Sequence, residues 1–305
     1  MKIDVIINSR SDRARSADFE LRLREEFRKH DYRLIHTNYA GHAAELARAA
    51  AEQGCDIIVA IGGDGTVNEV VNGSRGSGLA VGIIPAGAAN DLAVRLGIPE
   101  DMRTACDVIL SGRIRQLPAI EVNERYFLTT CGLGFPAVSI EAAHFLGRTF
   151  LTRRIKDRLG HRIYAIGVAA ALAARLPDYS MRLCGGDICT LTHSMSVIIG
   201  LQSTLGKRFV VLPEADDTAH TLDCYIIEGR SRGLLLRHIA ATLRATQADL
   251  PGARFLHGNH FTIETTRPAP FFGDGEIVGP ANRFDIRIVP RAVPVIVPAS
   301  WRDRP

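Results

Sequence analysis

The hydrophobic pattern of this chain changes its rhythm after about residue 120. Before that point, short runs rich in β-branched residues alternate with longer stretches of helical periodicity. This order is typical of βαβ units around a parallel sheet. It predicts strands over residues 3–7, 34–37, 56–61 and 79–84, and helices over residues 16–30, 43–53, 67–72 and 89–96.

The later part of the chain has many short apolar runs separated by Gly, Asn and Asp, which is typical of an antiparallel sheet. Two helical patterns interrupt these runs, one over residues 145–175 with a break near Gly160, and one over residues 232–245. The predicted strands lie over residues 126–130, 195–199, 221–227, 260–264, 284–288 and 293–297.

Together the two rhythms predict two domains. We expect an α/β N-terminal domain, doubly wound, over residues 1–120, completed by a C-terminal strand within residues 291–305. Residues 121–290 should form a mainly antiparallel β-sandwich C-terminal domain.

Composition sets limits on compartment and partners. A formal charge of +4 over 305 residues is too mild to indicate binding to nucleic acid, although it suits an anionic surface. Six cysteines without metal-ligand spacing indicate thiols in a reducing compartment, and residues 2–7 lack the features of a signal peptide. The longest nearly uncharged run, residues 163–174, is shorter than the ~20 residues that a spanning helix needs. We therefore expect a cytoplasmic protein whose membrane contact is peripheral.

A glycine-rich loop follows the third predicted strand. Gly62, Gly63, Asp64, Gly65 and Thr66 lead directly into a helix, and glycines there let backbone N–H groups approach phosphate oxygens. A tight turn without a ligand is the alternative. A carboxylate in a phosphate cradle is repulsive unless a divalent cation or water mediates it. Asp64 therefore indicates metal-assisted phosphoryl transfer.

Two further loops carry carboxylates. Asn90 and Asp91 follow the next predicted strand, and loops at the carboxyl ends of parallel strands meet at one edge of a sheet. Either residue is also a reasonable helix cap. Asp274 and Glu276 flank Gly275, where the alternative is a plain hairpin turn, because Asp-Gly is a strong hairpin signal.

With these loops in this order, the sequence resembles the diacylglycerol kinase catalytic family, which includes sphingosine, ceramide and bacterial lipid kinases. The similarity extends from the first strand to Pro298. The segment Asn-Glu-Val-Val-Asn-Gly from Asn68 to Gly73 is its most specific part, since NAD kinases and phosphofructokinases share only the glycine-rich core. Other landmarks are Thr37 with Gly41, His42 and Ala43, and residues 85–99, 132–135, 213–223 and 274–276.

The resemblance implies a two-domain ATP-dependent lipid kinase of the NAD kinase/diacylglycerol kinase-like fold. It implies that Glu276, with Asp274 beside it, is the general base for a lipid hydroxyl of diacylglycerol, ceramide or sphingoid type. Asp64, Asp91 and Glu276 would hold Mg²⁺. The residues implied to contact ATP are Asn8, Thr37, Gly62, Gly63, Asp64, Gly65, Thr66, Glu69, Gly87, Ala88 and Asn90.

Three positions depart from the family pattern. The loop at Asn8 lacks the family's Pro and Gly, and Arg10 is a candidate substitute contact with ATP. Ala88 replaces a threonine, which removes a hydroxyl contact worth about 1 kcal/mol. The family's structural Mg²⁺ loop has Ala-His at residues 219–220 instead of Asp-Gly, with acids at residues 216–217, and we do not expect a metal there.

A basic stretch indicates where the lipid surface is met. Residues 147–162 contain six basic residues and one acid, directly ahead of an apolar helical run. This pattern is typical of docking on an anionic bilayer. The alternative is a solvated helix face beside a core helix.

Two other functions stay open from the sequence. The changes at Ala88 and Asn8 also fit a non-catalytic homologue that binds nucleotide or lipid, and the glycine core alone fits an NAD kinase. A homodimer is possible.

Overall fold

A computed structural model describes residues 1–11, 13–148, 162–173, 178–186, 188–206, 209–215 and 221–301. The chain forms two compact units, Met1–Ala119 with Val289–Arg304, and Ile120–Ile288. Each unit is described by itself.

The first unit is a parallel α/β sheet with the strand order β4-β3-β1-β2. The end of β15 (Glu276–Val297) adds a parallel neighbour to β4 where Val295 pairs with Val81. Its strands are β1 (Lys2–Ile7), β2 (Asp31–His36), β3 (Ile57–Gly62) and β4 (Ala80–Pro85), and its helices are α1 (Ala17–Phe27), α2 (His42–Glu52), α3 (Asp64–Gly73), α4 (Asp91–Arg95) and α5 (Met102–Ser111).

Burial explains why these segments become central strands. Every residue of β3 and β4 is buried, as expected for apolar runs of a parallel sheet that is covered on both faces. Local capping sets the helix starts: Ser16 accepts a hydrogen bond from the Phe19 N–H, and Asp101 accepts one from Thr104. The α/β prediction is confirmed, although the pattern did not predict α5.

The second unit is an antiparallel sheet, as predicted. Its main strand order is β13-β12-β9-β7-β14-β15, and β8 pairs with both β9 and β14. Its elements are β6 (Arg125–Phe127), β7 (Thr130–Gly134), α6 (Phe135–Arg148), α7 (Arg162–Ala173), β8 (Tyr179–Gly185), β9 (Ile188–Gly200), β10 (Thr204–Leu205), β11 (Phe209–Val210), β12 (Leu222–Glu228), α8 (Arg232–Thr242), β13 (Ala253–Gly258), β14 (His260–Gly273) and the start of β15, with β5 (Arg113–Val122) spanning the unit boundary.

The helical part of this unit differs from its prediction. The helix predicted over residues 145–175 corresponds to the end of α6, which begins ten residues earlier in sequence at Phe135, and to α7. The expected break near Gly160 and most of the basic stretch, residues 149–161, lie outside the described residues. Within the described part of the chain, no helix is both long and apolar enough to cross a bilayer.

The prediction that all six cysteines are thiols is wrong. Cys184 on β8 and Cys189 on β9 form a disulfide, because the antiparallel register places them directly opposite each other. The other four cysteines are free and buried. The expected reducing compartment loses this support and stays a prediction.

Candidate active site

The predicted nucleotide loops meet at one edge of the first unit's sheet. β1 lies between β2 and β3, so the strand order reverses between β1 and β3. Ligands of open α/β sheets bind at such a switch point, beyond the carboxyl ends of the strands. A side-chain hydrogen bond joins the loop after β1 to the segment after β3 at this edge. Nδ2 of Asn8 donates to Oγ1 of the buried Thr66 at 2.8 Å.

The loops after β3 and β4 are in direct backbone contact. The Ala86 N–H donates to the Gly62 carbonyl at 2.8 Å, and a Cβ added to Gly63 would lie 3.1 Å from Cα of Gly87. A Cβ on Gly87 would overlap Gly63. Because α3 begins at Asp64, the start of a helix lies at this side-chain-free contact, which is suited to phosphate binding.

The loop after β1 compensates for its missing Pro and Gly. Oδ1 of Asn8 accepts a hydrogen bond from the Arg10 N–H at 2.9 Å, which closes an Asx turn. The buried Ser11 hydroxyl donates to the Ala86 carbonyl at 2.7 Å and ties this loop to the loop after β4. The Ser9 N–H reaches Oγ1 of Thr37 at 3.3 Å. The loop is therefore braced both within itself and against neighbouring segments, and Arg10 within it is exposed.

Asn90 does not cap α4 with its side chain. Its backbone is left-handed, with φ of 53°, and its amide bonds back to Gly87, Oδ1 accepting at 2.9 Å and Nδ2 donating at 3.0 Å. The α4 start is instead reached by Asp64, whose Oδ1 accepts from the Leu92 N–H at 3.3 Å. Asp64 and Asp91, both half-buried, are thus the first residues of two helices joined by this bond. Ala88 is exposed.

The family-specific segment on α3 docks a neighbouring helix. Glu69 accepts from the Gly41 N–H at 2.8 Å and from the Ala43 N–H at 3.1 Å, so its carboxylate caps α2. Close to it, a Cβ on Gly73 would overlap the carbonyl of Ala44. The structure therefore places Glu69 between two helices, and its direct contact with ATP stays a prediction.

The Asp274–Glu276 segment is a hairpin turn and also a polar anchor. Asp274 and Gly275 have φ of 49° and 79°, and Gly273 pairs with Glu276 across the turn between β14 and β15. Asp274 is 7% exposed, and its carboxylate accepts from Leu128 and Thr129. Glu276 is half-buried. The turn that sequence reasoning offered as an alternative to function thus exists, together with a buried carboxylate.

Comparisons with known proteins identify the family to which this chain belongs. The sequence model described as diacylglycerol kinase catalytic domain matches residues 2–122, and the one described as YegS C-terminal NAD kinase beta sandwich-like domain matches residues 150–297. A diacylglycerol kinase of Staphylococcus saprophyticus is 38% identical over 258 residues, which cover 82% of this chain and 81% of the relative. The chain belongs to the diacylglycerol kinase family. It is accordingly an enzyme, a lipid kinase.

More distant members agree with this assignment. A diacylglycerol kinase of Bacillus subtilis is 27% identical over 252 residues, covering 80% of this chain and 78% of the relative. A crystal structure of a diacylglycerol kinase from Bacillus anthracis str. Sterne superposes with a TM-score of 0.74 at 20% identity, over 97% of this chain and 96% of that one. The latter similarity shows the shared fold.

Relative to the family pattern, sequence reasoning missed the residues that brace the loops. Ser11 and the turn at Leu128 and Thr129 are generic small or apolar positions, and only the folded chain shows their contacts with Ala86 and Asp274. A serine three residues after Asn8 was the one available signal, because hydroxyl side chains commonly bond to nearby backbone.

The family's structural Mg²⁺ loop is only partly described. Residues 216–220 lie outside the described part of the chain. Asp223 follows them, is buried, and pairs with Nδ1 of His257. Within the described residues, no group of three or more His, Cys, Asp and Glu side chains is arranged to hold a metal ion.

Proposed function

We propose that this lipid kinase transfers the γ-phosphate of ATP to the hydroxyl of a diacylglycerol-like lipid, assisted by Mg²⁺ and by Glu276 as general base. The relatives named diacylglycerol kinase favour diacylglycerol over ceramide or sphingoid acceptors. The observation that carries the proposal is the backbone contact of Gly63 with Gly87 between the loops after β3 and β4, beside the switch point and next to Asp64.

ATP fits this edge because the loops present backbone groups and small hydroxyl side chains, which phosphate oxygens can approach closely, and no bulky side chains at the Gly63–Gly87 contact. Thr66 and Thr37 supply hydroxyls that are already oriented by Asn8 and Ser9. Phosphoryl transfer depends mostly on positioning and charge neutralisation, so rigid loops are what the reaction needs. The exposed Arg10 guanidinium is a further candidate for phosphate oxygens.

Mg²⁺ fits the pair Asp64 and Asp91. Magnesium keeps several waters and is commonly bound by one or two carboxylates together with substrate phosphates, without a full protein cage. Two half-buried carboxylates at the joined starts of α3 and α4 meet that requirement. The ion would neutralise charge on the transferred phosphoryl group. Glu276 would accept the proton of the lipid hydroxyl, a smaller contribution to the rate.

The lipid acceptor requires contact with a membrane surface. The six basic residues within residues 147–162 support peripheral binding to anionic lipid. In a sedimentation assay, the protein should pellet with phosphatidylserine vesicles at low salt and stay in the supernatant at high salt. It should not pellet with phosphatidylcholine vesicles at either salt concentration. Equal binding to both would contradict the electrostatic contribution.

A radiolabel assay tests the reaction. Purified protein is incubated with Mg²⁺, γ-labelled ATP and micelles of diacylglycerol, ceramide or sphingosine, and NAD is assayed in parallel. Asp64→Asn and Glu276→Gln should each abolish lipid labelling, while the exposed control Asp18→Asn should match wild type. Labelling of no lipid would contradict the proposal. ATP binding without turnover would then support the non-catalytic homologue, and NADP formation would support an NAD kinase.

A further inference from the structure

The carboxylate of Asp274 accepts hydrogen bonds from two consecutive residues of one short turn, Leu128 and Thr129. Its two oxygens accept from the Leu128 N–H at 3.0 and 2.9 Å, and Oδ1 also accepts from the N–H and hydroxyl of Thr129 at 2.8 and 2.7 Å. The Asp274 N–H in turn donates to the Thr130 carbonyl at 2.9 Å. Main chain and side chain of Asp274 are therefore both fastened to the connection between β6 and β7.

The surroundings show that this is a closed site. Asp274 is 7% exposed, and Thr129 is 3% exposed. Burial raises the pKa of the neighbouring Cys131 thiol well above its usual range, and the Asp274 charge adds to that shift. A Cβ on Gly273 would overlap the Phe127 ring, so the strand before the turn packs tightly on β6. A lipid hydroxyl has little access to this carboxylate.

The hairpin needs such an anchor because its own pairing is irregular next to Glu276. Phe271 pairs with Gly279 but Phe272 pairs with Ile277, so Val278 is an extra, bulged residue on β15. A shift of pairing by one residue turns every side chain to the opposite face. Fixing Asp274 two residues before Glu276 fixes the register at the point where the direction of the Glu276 side chain is decided.

We infer that Asp274 is a positioning residue, which holds the hairpin turn on Leu128 and Thr129 and thereby orients Glu276, and that it does not itself receive the substrate proton. The inference rests on the proposed role of Glu276 as general base. It assigns different roles to Asp274 and Glu276, which the resemblance to the family placed together at the general base.

Thr129 provides the sharpest test, because a substitution there weakens the anchor while Asp274 and Glu276 both remain in the chain. Thr129→Val loses the hydroxyl donor and should lower kcat about tenfold with KM for ATP and lipid unchanged, whereas Thr129→Ser should restore kcat. Asp274→Asn, which sets an amide N–H₂ against backbone N–H groups, should lower kcat about 100-fold. The charge-loss control Glu264→Gln, on the same hairpin, should leave kcat unchanged.

Double variants show whether the anchor acts through Glu276. All rates are measured at 15 °C on protein that is folded by circular dichroism. Adding Thr129→Val to Glu276→Gln should cause no further loss, and adding it to Asp274→Asn should cause less than its tenfold effect alone. Wild-type kcat in Thr129→Val would overturn the inference, and so would full additivity in either double variant.

Amide hydrogen exchange separates this inference from the proposed activity. If wild type phosphorylates no lipid, the proposed function fails, but the anchor is still measurable. Thr129→Val, or Asp274→Asn where it folds, should then speed exchange of the Leu128 and Thr129 amides at least about tenfold relative to Glu264→Gln. Unchanged exchange at both amides would overturn the anchor itself.

Discussion

Removing the Glu69 carboxylate should destabilise the first unit, while the affinity of the protein for ATP should change little. Glu69 accepts two backbone N–H groups at the start of α2, from Gly41 and Ala43, while it belongs to α3. Loss of a helix cap costs about 1 kcal/mol, and hydrogen bonds to a charged group are worth about 1.5–3 kcal/mol each. Because Glu69 is half-buried, we expect about 2 kcal/mol for Glu69→Ala and about 1 kcal/mol for Glu69→Gln, which keeps one acceptor oxygen.

Thermal unfolding and nucleotide binding together measure the two effects. A loss of 2 kcal/mol corresponds to a Tm decrease of about 4–8 °C for a unit of this size. Glu25→Ala, an exposed acid on α1, is the control and should shift stability by less than about 0.5 kcal/mol. The dissociation constant of a fluorescent ATP analogue, measured well below Tm, should change less than about threefold in Glu69→Gln. A wild-type Tm together with a tenfold weaker dissociation constant would refute the capping role and support direct contact with ATP.

Three further outcomes follow from the structure. Ala88→Thr should bind ATP about fivefold more tightly than wild type, by regaining a hydroxyl contact, with Ala89→Thr as the control; equal affinities in the two variants would contradict a nucleotide contact at this position. Burial lowers the pKa of His238 from its usual 6.5, so the native state keeps this histidine neutral while the unfolded chain binds a proton below pH 6.5. The urea midpoint should therefore fall as the pH decreases below 6.5 toward the lowered folded pKa, and less steeply in His238→Gln; parallel curves would contradict the assignment. Reduction of the Cys184–Cys189 disulfide, which closes a short loop, should cost at most about 2 kcal/mol and should have no effect on the Cys184→Ser/Cys189→Ser variant; an equal response of that variant to reductant would contradict the pairing.

The parts of the fold that could be predicted are those that a local pattern specifies. Fully apolar runs at β3 and β4 identify buried parallel strands, because only strands covered on both faces lack polar positions. The pattern did not predict α5, where Cys106 and Ile109 are buried but the helix is short. The disulfide was missed for a related reason, since a five-residue separation shows nothing about strand register.

In the candidate active site, too, the features that local sequence specifies could be predicted and the long-range contacts could not. The glycine loops are recognisable because glycines cluster at the carboxyl ends of strands, and at Gly62 the reason is local, since a Cβ there would overlap the Thr66 side chain four residues later. The contacts that stiffen the loops join positions far apart in sequence, such as Ser11 with Ala86 and Asp274 with Leu128. No periodicity or spacing encodes such pairs, because each partner is an ordinary residue until the fold brings it close.

Local turn chemistry and function are not alternatives in this enzyme. At Asn90 the choice was between a helix cap and a site residue, and at Asp274 between a hairpin turn and a place beside the general base. Both residues have positive φ, both use their side chains to bond the adjacent backbone or a neighbouring turn, and both precede a carboxylate, Asp91 or Glu276, by one or two residues. Left-handed backbone at a non-glycine residue costs free energy and persists where the surrounding contacts impose it. A hydrogen-bonded residue of this kind just before a carboxylate limits the directions which that carboxylate can take. At both places we therefore expect the turn residue to position the chemistry, and the carboxylate that follows it, Asp91 or Glu276, to take part in the reaction.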